Sequence, residues 1–180
     1  MNYRHAYHAG NFADVLKHAL LCWIVRYLQQ KEAPLCLIDT HAGAGLYDLT
    51  GTQAEKTGEA KDGIQRLLGH NDVPTPFAPY LDLVRKANPS YPGSPALLSA
   101  LARPHDKIIL CELHPEEASQ LRQSLPPNKH TRIITGDGYR TLPTLIPPPE
   151  KRGLVLIDPP FEQPEELEAL TRSFAAAHNK

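Results

Sequence analysis

The sequence predicts an α/β fold built on a parallel sheet, and three observations predict it. Apolar runs at 35–38, 107–111 and 153–157, with Ile133-Ile134 inside 131–135, lack the alternation of a half-exposed strand. Such runs suit strands covered on both faces. The intervals 112–130 and 136–152 each have room for one short helix, so strand and helix alternate. Finally, every run delivers an acid to what would be one edge of the sheet: Asp39, Glu112, Asp137 and Asp158. The carboxyl ends of the strands are where open α/β sheets bind ligands.

Composition sets the bounds. A chain of 180 residues, 41% hydrophobic and 22% charged, suits one domain with a sizeable core. No run approaches the roughly 20 apolar residues of a membrane span, and no leader pattern opens the chain, so a cytoplasmic protein with no membrane partner is expected. Cys22, Cys36 and Cys111 sit singly in apolar segments without metal-ligand spacing. They read as reduced core thiols, and no metal site is predicted. With a net charge of −1, any nucleic-acid contact must rest on a local patch.

The first ten residues are polar and aromatic, with Tyr3, Arg4, His5, Tyr7 and His8 close together. Asn11 is a good N-cap and Asp14 places negative charge in the first turn of the helix that follows. Leu16, Leu20, Trp23, Ile24, Tyr27 and Leu28 recur at helical spacing and predict its apolar face. The first strand runs into Asp39-Thr40-His41-Ala42-Gly43-Ala44-Gly45, where glycines let the backbone approach a ligand closely. The third glycine of the dinucleotide fingerprint is missing.

Residues 51–103 read as a helical insertion subdomain, because a simple crossover does not need so long a segment. One helix is marked by Ala60, Ile64, Leu67 and Leu68, another by Tyr80, Leu81, Leu83 and Val84. Ser94-Pro95 reads as a helix start, an N-cap followed by proline at the first helical position.

The richest stretch is Gly153 to Phe161. Pro159 and Pro160 cannot donate to a sheet ladder, so pairing stops there and the loop is stiff. Asp158 and neighbouring carbonyls can accept hydrogen bonds from an amino group, and Phe161 offers a flat surface for a planar base. That pairing suits chemistry on the exocyclic amine of a nucleobase. The four strand-end acids describe a cleft for hydroxyls, amines and positive charge, a poor host for pyrophosphate.

Taken together, these motifs resemble the Rossmann-like S-adenosylmethionine-dependent methyltransferases, and more closely the RlmJ family, which methylates the N6 amine of an adenine in large-subunit (23S) ribosomal RNA. The resemblance rests on Tyr3-Arg4-His5, on His8-Ala9-Gly10-Asn11 and on Ala13 to His18. It continues in Asp39 to Gly45, Tyr91-Pro92-Gly93-Ser94-Pro95, Glu112-Leu113-His114-Pro115, Asp137-Gly138 and Asp158-Pro159-Pro160-Phe161.

The resemblance implies that the cofactor S-adenosyl-L-methionine is contacted by His18, His41, Ser94, Glu112, Asp137, Gly138 and Asp158. It implies that Asp158 is also the catalytic carboxylate, and that Tyr3 touches the RNA. Phe161 would stack on the target base. Two alternatives remain: a DNA adenine or other amino methyltransferase, and a non-catalytic cofactor-binding module.

The family's sheet has seven strands and only about four are legible here, so the methyltransferase domain, 1–180, is expected to be incomplete at its C-terminus. The 153–157 strand would then lie at an open edge, which invites pairing with another chain.

Overall fold

The structure, a computed structural model, describes residues 4–70 and 72–180. Tyr3, expected at the RNA, lies outside the described residues. After a 3-10 turn at His5–Tyr7, helix α1 spans Phe12–Leu28. Strand β1 is Cys36–Asp39 and β2 is Leu46–Asp48. Helix α2 (Thr52–Thr57), a π-type turn at Lys61–Gln65, α3 (Arg66–Leu68) and α4 (Ala78–Ala87) follow. Then come β3 (Ser90–Pro92), α5 (Ser94–Leu101), β4 (Lys107–Glu112) and α6 (Pro115–Ser124). The chain finishes with β5 (Thr131–Thr135), α7 (Gly138–Leu145), β6 (Gly153–Leu156) and α8 (Glu166–His178).

The four strands expected to form the sheet are parallel, in the order β5-β4-β1-β6. The two central strands are the best buried. Leu37, Ile108 and Leu110 are sealed under Leu21 and Val25 of α1, Leu98 of α5 and Leu121 of α6. On the opposite face Cys36 and Ile38 pack with Leu142 of α7 and Ala177 of α8. Gly153 permits the close approach of β6 to β1, since a Cβ there would lie 1.9 Å from the Cys36 carbonyl oxygen. The outer edge of β6 has no strand partner among the described residues. All three cysteines are buried free thiols. Among the described residues no helix is long and apolar enough to cross a membrane.

Several local expectations need correction. The apolar face predicted for α1 is not the buried one. Leu16, Leu20, Trp23 and Tyr27 are exposed, while Asp14, His18, Leu21, Cys22 and Val25 are buried. This helix is apolar nearly all round, so periodicity alone could not choose its inner face; packing against α4, α5 and the sheet does.

Residues 51–103 are not wholly helical, because β3 pairs antiparallel with β2, Tyr91 opposite Tyr47. The helix expected around Ile64 is interrupted at Gly63, whose φ and ψ of −103° and −113° are not helical. There the chain presses on the start of α1, with Ile64 N–H donating to the Gly10 carbonyl at 2.8 Å. A Cβ at residue 63 would lie 2.0 Å from that oxygen. Gly93, not Ser94, is the N-cap of α5, and Ser94 is its first helical residue.

Candidate functional site

At the carboxyl ends of β1, β4, β5 and β6 lies a cleft of about 320 Å³. Its walls carry six carboxylates (Asp14, Glu112, Glu117, Asp137, Asp158, Glu166) against one lysine, Lys17. That excess favours a cationic guest and disfavours a pyrophosphate. His18, His41, Ser94, Glu112, Asp137, Gly138 and Asp158, all singled out from the sequence, line this one cleft. Phe161 does not line it. It lies three residues beyond Asp158, 59% exposed, with a left-handed φ of 53°. A bulky residue is rarely found there, and such strain concentrates at functional sites.

The acids are held in different ways. Glu112 ends β4 and folds back over the glycine loop. One oxygen accepts from Gly43 N–H and the other from His114 N–H, both at 2.8 Å. Asp137 is the N-cap of α7, its Oδ1 accepting from Tyr139 and Arg140 N–H groups. Its Oδ2 is not used by the cap.

Asp39 is fully buried at the end of β1. Its Oδ1 accepts from His41 N–H, but Oδ2 has no hydrogen-bond partner. Burial pushes its carboxyl up to about 6, against the Ser94 hydroxyl and the His41 N–H. Asp158 lies past the end of β6, its side chain 42% exposed, and its Oδ2 accepts from Lys17 Nζ at 2.5 Å.

Asp14 and Lys17 were not singled out as site residues from the sequence, yet they organise this wall. Lys17 Nζ bridges Asp14, at 2.8 Å, and Asp158. Burial alone would lower the lysine's pKa, but the two carboxylates raise it above its ordinary value. Asp14 also accepts from His5 Nε2 and from Gly10 N–H, each at 2.9 Å. Burial would raise its carboxyl, yet the hydrogen bond from His5 and the charge of Lys17 hold it well below the usual range. The available signal was polar residues at positions 14, 17 and 18, spaced i, i+3, i+4 on an otherwise apolar helix.

Both cleft histidines on the α1 and β1 walls stay neutral near pH 7. Burial pushes His18 down to about 3, against the pull of Asp14. Burial likewise lowers His41, whose ring meets Tyr139 edge-on at 4.9 Å and whose Nδ1 bonds the Thr40 hydroxyl.

The glycine loop works differently from the expectation. Gly43 and Gly45 do have positive φ, 66° and 85°. However, a Cβ on Gly43 would meet the Tyr47 hydroxyl at 2.2 Å, and one on Gly45 would meet Ser124 Oγ at 2.6 Å. Those glycines make room for protein. They let the loop close on Tyr47 and α6, and so set the floor of the cleft. Gly138 has the same use, since its Cβ would lie 2.1 Å from the Thr40 carbonyl oxygen.

The residues present fit a nucleoside carrying a positive charge. Carboxylates serve hydroxyls and amines, and the wall is net negative. Asp39, counted among the cleft acids from the sequence, is fully buried and does not line the cleft, because β1 is a central strand that carries it under the 39–45 loop.

Comparison with known proteins agrees with that chemistry. A family model described as Ribosomal RNA large subunit methyltransferase D, RlmJ, matches residues 32–180. The chain is 39% identical to the protein named ribosomal RNA large subunit methyltransferase J of Escherichia coli and 37% identical to that of Haemophilus influenzae. Each match covers 100% of this chain and 66% of the relative, so the chain spans just under two thirds of their length. A crystal structure of a Legionella pneumophila protein superposes with a TM-score of 0.89 at 39% identity, over 96% of this chain and 66% of that one. On the family model and these identities, the chain belongs to the RlmJ family of ribosomal RNA large subunit methyltransferases.

Proposed function

We propose that this chain carries the cofactor half of an S-adenosylmethionine-dependent methyltransferase acting on the N6 amine of an adenine in large-subunit ribosomal RNA. The observation that carries the reading is the placement of Asp158. It stands at the lip of a net-negative cleft, beside a stiff Pro-Pro turn and an exposed aromatic ring. When bound, S-adenosylmethionine supplies an electrophilic methyl group next to a sulfonium leaving group. His18, His41, Ser94, Glu112, Asp137, Gly138 and Asp158 would hold it. Glu112 suits the ribose hydroxyls, since both its oxygens are already aimed by backbone N–H groups and retain lone pairs.

The protein's own work is alignment. Lys17 occupies one oxygen of Asp158 and leaves the carboxylate to accept from the target amine. That hydrogen bond turns the nitrogen lone pair toward the methyl group. The carboxylate need not be a strong base, because the amine becomes acidic once methylated. Phe161 is placed to stack on an adenine drawn out of its helix. Residues 51–103 are read as an insertion within the methyltransferase domain, flanking the substrate entrance, and Tyr3 is read as an RNA contact.

Incubation with methyl-labelled S-adenosylmethionine and large-subunit ribosomal RNA, then digestion to nucleosides, tests the reading. Label is expected in N6-methyladenosine; label confined to another nucleoside would contradict it. Phe161→Ala should lower kcat/KM for RNA about 5- to 150-fold, the range of one lost base–aromatic stack. Cofactor affinity should change less than about twofold, because Phe161 does not line the cleft. Equal losses of both, by kinetics and calorimetry, would remove the stacking role.

A further inference from the structure

We propose that Tyr91, anchored by Tyr80, is a positioning residue that holds His18 in the tautomer whose Nε2 carries the proton, so that the imidazole presents an N–H donor at the cleft. The three side chains come from different elements: His18 from α1, Tyr80 from α4 and Tyr91 from β3. All are at most 1% exposed. Tyr80 Oη lies 3.0 Å from Tyr91 Oη, and Tyr91 Oη lies 2.8 Å from His18 Nδ1. Neither tyrosine is among the residues that line the cleft.

Where the surplus proton ends up decides the direction of this chain. A neutral imidazole has one N–H and one acceptor nitrogen. Burial keeps His18 neutral and holds both phenols protonated. If Nδ1 carried the proton, it would donate to Tyr91. Tyr91 would then donate to Tyr80, and the Tyr80 hydroxyl proton would be buried with no acceptor, since Tyr91 is its partner among the described residues.

If Nδ1 is the acceptor, Tyr80 donates to Tyr91 and Tyr91 donates to Nδ1, and the one proton left over is Nε2–H, on a residue that lines the cleft, whereas Tyr80 does not. A donor sealed in the core costs more to leave unpaired than one that opens on a polar cleft, and that difference disfavours the first pattern. A second observation points the same way. His18 Nε2 lies 3.9 Å from Asp14 Oδ1, so a proton there faces an anion, whereas a bare lone pair would be repelled by it. The distance is too long for a hydrogen bond, which leaves the Nε2 proton for a ligand acceptor in the cleft that His18 lines.

The consequence for catalysis rests on the functional reading; the tautomer itself does not. The test is a long-range 1H–15N spectrum of the full chain labelled with 15N-histidine, with the His18 signals assigned from a His18→Gln sample. The wild type should show a protonated Nε2 and an acceptor-type Nδ1. Tyr91→Phe should shift these signals toward a mixture of both tautomers and weaken S-adenosylmethionine binding about 3- to 10-fold by calorimetry. Tyr80→Phe should keep the wild-type tautomer, because Tyr91 can still donate to Nδ1. A protonated Nδ1 in the wild type, or unchanged His18 signals in Tyr91→Phe, would overturn the proposal. A wild type with protonated Nε2 that does not bind S-adenosylmethionine would support the tautomer and overturn the functional reading instead.

Discussion

Replacing Asp158 by alanine should reduce methyl transfer about 10²- to 10⁴-fold, the range lost with one positioned proton acceptor. The carboxylate is the group beside the Pro-Pro turn that can orient a target amine. Its removal should leave the fold intact. The side chain is 42% exposed, and ion pairs of that kind contribute about 0–1 kcal/mol. Lys17 would keep Asp14 at 2.8 Å, so no buried charge is stranded. The comparison is single-turnover transfer to RNA against thermal melting, with Asp158→Asn as the isosteric control. Loss of transfer accompanied by an equal collapse of the melting temperature would assign Asp158 a structural role.

The largest loss of stability is expected at Asp106, far from the cleft. It is 1% exposed and accepts from Leu35 N–H at 2.9 Å and from Arg103 through its backbone N–H, Nε and Nη2 at 2.9–3.0 Å. Gln29 Nε2 adds a fifth contact at 3.3 Å. The carboxylate thus ties the end of α1, the start of β1 and the turn before β4 together.

Asp106→Ala would leave the Arg103 guanidinium and the Leu35 N–H without this partner, a change that costs about 3–5 kcal/mol. For a chain of this length the melting temperature should fall by about 6–20 °C. Burial alone would raise the Asp106 carboxyl, but the Arg103, Leu35 and Gln29 donors hold it down at about 2. A folded pKa below the unfolded value of about 3.9 means the contribution is full above pH 4 and is lost as pH falls through 2. The stability gap between the parent and Asp106→Asn, followed by denaturant titration, should therefore close between pH 4 and pH 2.

What could be read from the sequence follows from how local each signal is. The strands of the sheet were legible because unbroken apolar runs have one stable use in a chain of alternating elements. The Asp158 turn was legible because consecutive prolines end a strand regardless of context. The inner face of α1 was not, since apolar residues surround most of this helix and its neighbours decide which of them are buried. Strand β3 was hidden because Ser90-Tyr91-Pro92 has no strand pattern, and its pairing with β2 comes from a distant segment. The bridge from Lys17 to Asp158 joins residues 141 apart, and the His18–Tyr91 contact residues 73 apart. Sequence spacing holds no trace of either. The glycines of the 39–45 loop were legible as a special backbone, but whether they admit a ligand or a tyrosine depends on Tyr47, a side chain placed by the fold.

On the proposed function, this acid-walled cleft takes a cationic sulfonium nucleoside. Calorimetric titration of the intact chain with S-adenosylmethionine, and separately with NAD, tests it most directly. Saturable binding of one equivalent of S-adenosylmethionine is expected, weakened at least tenfold in Glu112→Ala, with no measurable binding of NAD. Tighter binding of NAD than of S-adenosylmethionine by the folded chain, or an affinity for S-adenosylmethionine unchanged in Glu112→Ala, would contradict it.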